Sequence, residues 1–188
     1  MGAIKRAIAA FFDFLQGIVV VLALLVMVYL FIMSPQEING ASMEPNFHDG
    51  EYILTSKILY KFQQPQRGDV VIFKSPANKE IDYIKRIIGL PGDTVFIKDN
   101  SFYVNGQIVE EPYLAQDTPI FGGSYLSEGQ SVVVPPDSFF VAGDNRAHSS
   151  DSREFGPIAE TDFIGTAIFR YWPFSELGSL PHPTYDIK

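Results

Sequence analysis

From Phe14 to Met33 the chain reads FLQGIVVVLALLVMVYLFIM, with no charged residue. About 20 apolar residues is the length a helix needs to cross ~30 Å of hydrocarbon. A buried core helix seldom lacks charge for so long. A cleavable leader has a shorter apolar core and a small-x-small site after it, whereas Ser34-Pro35-Gln36-Glu37 follows here. The run is therefore expected to be a permanent anchor over residues 14–33. A short segment, 1–13, precedes it, and one folded domain occupies 34–188. Lys5 and Arg6 stand before the run, and few basic residues follow until Lys57. That bias places the N-terminus in the cytoplasm and residues 34–188 on the outer side of a plasma or thylakoid membrane, as a single-pass protein in contact with the lipid bilayer.

Charge and composition narrow the partners. The 188 residues carry a net charge of −8 and no basic tract, so nothing is available to neutralise a nucleic-acid backbone. The same acidity argues against electrostatic adhesion to anionic lipid. Cys is absent, which excludes disulfides and thiolate metal sites. His48, His148 and His182 are spread without ligand spacing, so no metal is expected. No cofactor is expected either, and nothing demands more than a monomer.

Past the anchor, strand signals replace helical periodicity. Segments 51–55, 69–74, 81–88, 94–98, 102–109, 131–134, 138–142 and 163–172 read as strands. Asn105-Gly106 between two apolar runs signals a two-residue hairpin, while Leu90-Pro91-Gly92-Asp93 and Pro135-Pro136-Asp137 are turns. Residues 110–130 read as a long exposed connection. The expected fold is mainly β: an antiparallel sheet domain with a small β lobe around 94–130, preceded by one transmembrane helix.

Three segments could carry chemistry, and each has an ordinary reading. Gly40-Ala41-Ser42-Met43-Glu44-Pro45 is a turn in which small residues let backbone approach Ser42 closely; a serine in a turn usually does nothing more. Alternation along 81–88 puts Lys85 on one face with Ile81, Tyr83 and Ile87. Lost hydration there would lower its pKa and make it a possible base, or the chain could snorkel to solvent. The polar stretch Gly143–Arg153 alternates Asp and Arg after an apolar strand, as a loop-bracing network or a merely solvated loop would. Two further patterns are set aside. His148, Ser149 and Asp151 are too close in sequence for triad geometry, and Arg67-Gly68-Asp69 suits a turn into a strand better than an adhesion motif.

Together these segments closely resemble type I signal peptidases, the bacterial leader peptidases of the Ser-Lys class. Ser42-Met43-Glu44-Pro45 looks like the family's Ser-Met-x-Pro motif. Arg67-Gly68-Asp69-Val70-Val71 and Asp82-Tyr83-Ile84-Lys85-Arg86 with Gly89-Leu90-Pro91-Gly92-Asp93 look like its next two. Gly143-Asp144-Asn145-Arg146, Ser149, Asp151-Ser152-Arg153 and Gly156 look like its last. The resemblance implies a serine endopeptidase that removes signal peptides from exported preproteins after Ala-x-Ala-like sites. Ser42 would be the nucleophile and Lys85 the general base. Ser149 would orient the lysine amine, and Ile38, Tyr83 and Ile84 would line shallow pockets. Asp144, Arg146, Asp151 and Arg153 would brace the site. Some members carry a Ser where this chain has Gly40, so its oxyanion would rely more on backbone N–H groups such as that of Ser42. A self-cleaving Ser-Lys repressor should carry a DNA-binding domain and no anchor. An inactive relative should lack Ser42 or Lys85, and an endoplasmic-reticulum-type peptidase should have His in place of that lysine.

Overall fold

The computed structural model describes residues 2–115, 118–180, 182, 183, 185 and 187. Helix α1 (Gly2–Phe31) has no residue buried against the rest of the protein and is long and apolar enough to span a membrane. At 30 residues it is ~45 Å long. It begins well before Phe14: the stretch expected as a separate N-terminal segment is helical from Gly2 on, in keeping with the strong helix formers Ala3, Lys5, Arg6, Ala7, Ala9 and Ala10.

Strands follow as β1 (Met33–Glu37), β2 (Tyr52–Ser56), β3 (Val70–Lys74), β4 (Asp82–Gly89), β5 (Thr94–Lys98), β6 (Ser101–Val104) and β7 (Gln107–Ile108). After them come β8 (Ser131–Val133), β9 (Ser138–Ala142), the short helix α2 (Ser152–Phe155), β10 (Ile158–Ala159), β11 (Phe163–Trp172) and β12 (Gly178–Ser179). Pairing is antiparallel in both sheets. The larger sheet runs β1-β2-β11-β3-β4-β9-β10, with β12 on β11; the smaller runs β7-β6-β5-β8. The expected fold class and small lobe are therefore present. Strand β1 was not anticipated. Pro35 argues against an interior strand, but β1 lies at the sheet edge, where a missing N–H is tolerated.

Three apolar clusters fill the interior. One, around Phe102, Val95, Phe140 and Ile88, joins the small sheet to the large one. Ile120 and Leu126 belong to it and are 5% and 1% exposed, which corrects the reading of 110–130 as an exposed connection. Irregular backbone buries these side chains without any period that a sequence pattern would reveal. A second cluster holds Ile38, Met43, Phe47, Ile53, Val70 and Ile72. The third packs Val71, Phe73, Ile87 and Phe139. Strand β4 lies between these clusters and is buried on both faces from Lys85 to Gly89. Ile81 falls just outside the strand and is 49% exposed.

Candidate active site

Ser42 is held by what flanks it. Ile38 on one side, and Met43 and Phe47 on the other, are sunk in the second cluster. The chain between must bulge outward, and it does so through Gly40, whose φ of +91° favours glycine. The Gly40 N–H donates to Asp49 Oδ1 at 2.6 Å. The Glu44 N–H donates to the Ala41 carbonyl at 3.2 Å, and that of Phe47 to the Met43 carbonyl at 3.0 Å, closing the turn. From across the site, Asn145 donates its N–H to the Ser42 carbonyl at 3.1 Å and its Nδ2 to the Ala41 carbonyl at 3.0 Å. Asn145 stands in the last motif, but no sequence pattern points to a partner for its amide.

Lys85 comes from β4, opposite Val71 in the register with β3, and is 3% exposed. Its Nζ donates to Ser42 Oγ at 2.8 Å and to the Ile84 carbonyl at 2.8 Å. Burial strips water from the ammonium and lowers its pKa from 10.5 to about 8. The carboxylates of Asp151 and Asp144 oppose that shift, and the Arg153 guanidinium assists it.

Asp144, Arg146, Asp151 and Arg153 enter three ion pairs around Ser42 and Lys85. Arg86 grips Asp144 through Nε at 2.9 Å and Nη2 at 2.7 Å, and its Nη1 donates to the Gly68 carbonyl at 3.0 Å. Arg146 donates Nε to the Gly143 carbonyl at 2.8 Å and Nη1 to Glu111 Oε2 at 2.7 Å. Arg153 grips Asp151 through Nε at 2.8 Å and Nη2 at 2.7 Å. Burial alone would raise the Asp151 pKa, but the Arg153 hydrogen bonds and charge, with the Gly143 N–H at 3.0 Å, hold it below the usual value. Arg86 and Glu111 had not been singled out. Their partners lie far off in sequence, which no local pattern signals.

Two expectations are placed differently. Ser149 Oγ is buried beside Gly143 and, among the described residues, has no partner at hydrogen-bonding geometry, Lys85 included. The Gly40 N–H is committed to Asp49, so it cannot serve an oxyanion, whereas among the described residues nothing accepts the Ser42 N–H. Arg67 is also buried, 3.1 Å from Asp93, and cannot present an adhesion motif.

Ser42 and Lys85 open onto a groove of about 600 Å³. Ile38, Tyr83 and Ile84 line it, together with Gly40, Ile53, Ile72, Glu37, Glu80 and His148. Elsewhere, ligand atoms of His48, Glu51 and Glu176 lie within 4.8 Å of one another. The Arg170 guanidinium already pairs with both carboxylates, so positive charge is in place there without a metal.

Residues 11–172 match the family described as signal peptidase, peptidase S26. Signal peptidase IB of Staphylococcus aureus strain N315 is 40% identical over 175 residues, covering 87% of this chain and 91% of the relative. Signal peptidase I T of Bacillus subtilis strain 168 is 37% identical over 177 residues, covering 92% and 91%. A solved signal peptidase I from Enterococcus faecalis V583 is 32% identical with a TM-score of 0.45, covering 55% of this chain and 97% of its own. A match over most of the chain, with relatives of similar length, places this protein in the signal peptidase family, peptidase S26.

Proposed function

We propose that the chain is a membrane-bound serine endopeptidase that removes N-terminal signal peptides from exported preproteins, using Ser42 as nucleophile and Lys85 as general base. The observation that carries this reading is the 2.8 Å contact between Lys85 Nζ and Ser42 Oγ, with Lys85 buried and its pKa brought down to about 8. Serine is a weak nucleophile until a base removes its proton, and an ordinary lysine is protonated at neutral pH. A lysine with a pKa near 8 is neutral in about a tenth of molecules at pH 7. Its lone pair then accepts the Ser42 proton as Oγ attacks the scissile carbonyl. The resulting ammonium protonates the leaving amine. Lys85 next takes a proton from water as the water attacks the acyl-enzyme carbonyl, and returns that proton to Ser42 Oγ as the ester C–O bond breaks.

The Ser42 N–H is the donor best placed for the oxyanion. Ile38, Tyr83 and Ile84 line the groove beside the dyad and would receive the small side chains of Ala-x-Ala-like sites. Ser149, whose buried hydroxyl is unpartnered among the described residues, is the group proposed to orient the lysine amine. Helix α1 is the anchor, with its N-terminus cytoplasmic and the sheets outside, and the enzyme acts as a monomer. The test is cleavage of an Ala-x-Ala preprotein by the detergent-solubilised protein beside Ser42→Ala and Lys85→Ala. Cutting after the small residue by the wild type, and by neither folded variant, supports the reading. Cutting by both variants overturns the dyad.

A further inference from the structure

Anchor and sheet are joined without a linker. Helix α1 ends at Phe31, and β1 begins at Met33 and pairs at once with Ser56. The next residue, Lys57, closes the joint. Its backbone N–H donates to the Ile32 carbonyl at 2.8 Å. Its Nζ donates to the Tyr29 carbonyl at 3.0 Å and the Leu30 carbonyl at 3.5 Å, and lies 5.3 Å from the centre of the Tyr29 ring. The last carbonyls of a helix lack intrahelical partners and carry partial negative charge. Lys57 meets both needs from the sheet side. Strand β1 then passes into Gln36–Ser42, which line the groove.

We infer that Lys57 is a positioning residue: it locks the anchor to the sheet, so that the groove sits at a fixed height above the bilayer and selects substrates by the spacing between their apolar segment and the scissile bond. This rests on the reading of α1 as the anchor and of the groove as the signal-peptide site. The alternative is a loose tether. A five-residue flexible linker would let the site wander by ~12 Å. That is about four residues of extended substrate, enough to erase any register between membrane and cleavage site.

The experiment uses the full chain in phosphatidylcholine–phosphatidylglycerol vesicles. It compares the wild type with Lys57→Met and with a Gly/Ser insertion of about five residues between Ile32 and Met33. Substrates are a series of preproteins whose Ala-x-Ala site is moved residue by residue away from the apolar segment, and a soluble peptide without that segment. The wild type should cut within a narrow spacing window, falling about tenfold two residues to either side. Both variants should widen the window and leave peptide cleavage unchanged. An unaltered window in both variants, or a wide one in the wild type, overturns the proposal. So does loss of peptide cleavage in Lys57→Met, since the residue would then be holding the fold. A wild type that cuts neither kind of substrate overturns the underlying function, and the proposal with it.

Discussion

At 3% exposure, Lys85 carries a proton at neutral pH that its apolar surroundings disfavour. Its folded pKa of about 8 lies below the ordinary 10.5, so the unfolded chain binds the extra proton between those values. Stability should rise as pH climbs from about 8 to 10.5, and below 8 the full penalty remains. Replacing Lys85 with Met, similar in length and uncharged, should raise stability at pH 7 by up to roughly 3 kcal/mol. The gain should vanish above pH 10.5, a pattern that denaturant unfolding at the two pH values would reveal. Activity should run the other way. With chemistry limiting, kcat/KM should climb about tenfold per pH unit below 8 and level off above it. Asp151 is the strongest influence holding the Lys85 pKa up. Asp151→Asn should therefore move that rising limb to lower pH, and a pH–rate profile of folded variant protein would check it.

The loop from Gly143 to Arg153 acts as one element, because its ion pairs fix the backbone on which the Ser42 turn rests. A Cβ at Gly143 would come within 2.4 Å of the Ser42 carbonyl and 2.2 Å of Ser149 Oγ. The carbonyl is backbone and cannot step aside alone. Gly143→Ala should thus displace Ser42 and lower kcat by on the order of 100-fold, while unfolding stays cooperative. Asp144→Ala would strand the Arg86 guanidinium, which is 1% exposed, and should cost about 3–5 kcal/mol in thermal or denaturant unfolding. Much of this element was legible in the sequence: the alternation of Asp and Arg after an apolar strand pointed to bracing. The identity of each partner was not. Arg86, Glu111 and Asn46 reach Asp144 and Arg146 across the fold, from a strand, an irregular segment and a turn that only the tertiary structure brings together. Ser149 was legible as a motif residue, but the burial of its hydroxyl beside Gly143 is a local geometry that no spacing encodes.

Across the whole molecule, a helix long and apolar enough to span a membrane was plain from its uncharged run, while its start was not. Charge marks where a helix leaves lipid, not where it begins. The strands were legible wherever turns and alternation bounded them, and β1 was hidden because its Pro and its place beside the anchor masked it. No α1 residue is buried against the sheets, so the helix adds little to the stability of the domain. A chain beginning at Met33 should keep its melting temperature and its soluble-peptide activity. It should lose most of its activity on vesicle-embedded preproteins, a split that parallel assays of both substrates would display.

The central claim is that a neutral lysine activates the serine. The most direct measurement is a pH titration of the Lys85 side chain by NMR, with lysine isotopically labelled and Lys85→Met used to assign the signal. The account predicts a midpoint near 8. A midpoint at or above the ordinary 10.5 would leave Lys85 charged at working pH and would contradict the mechanism.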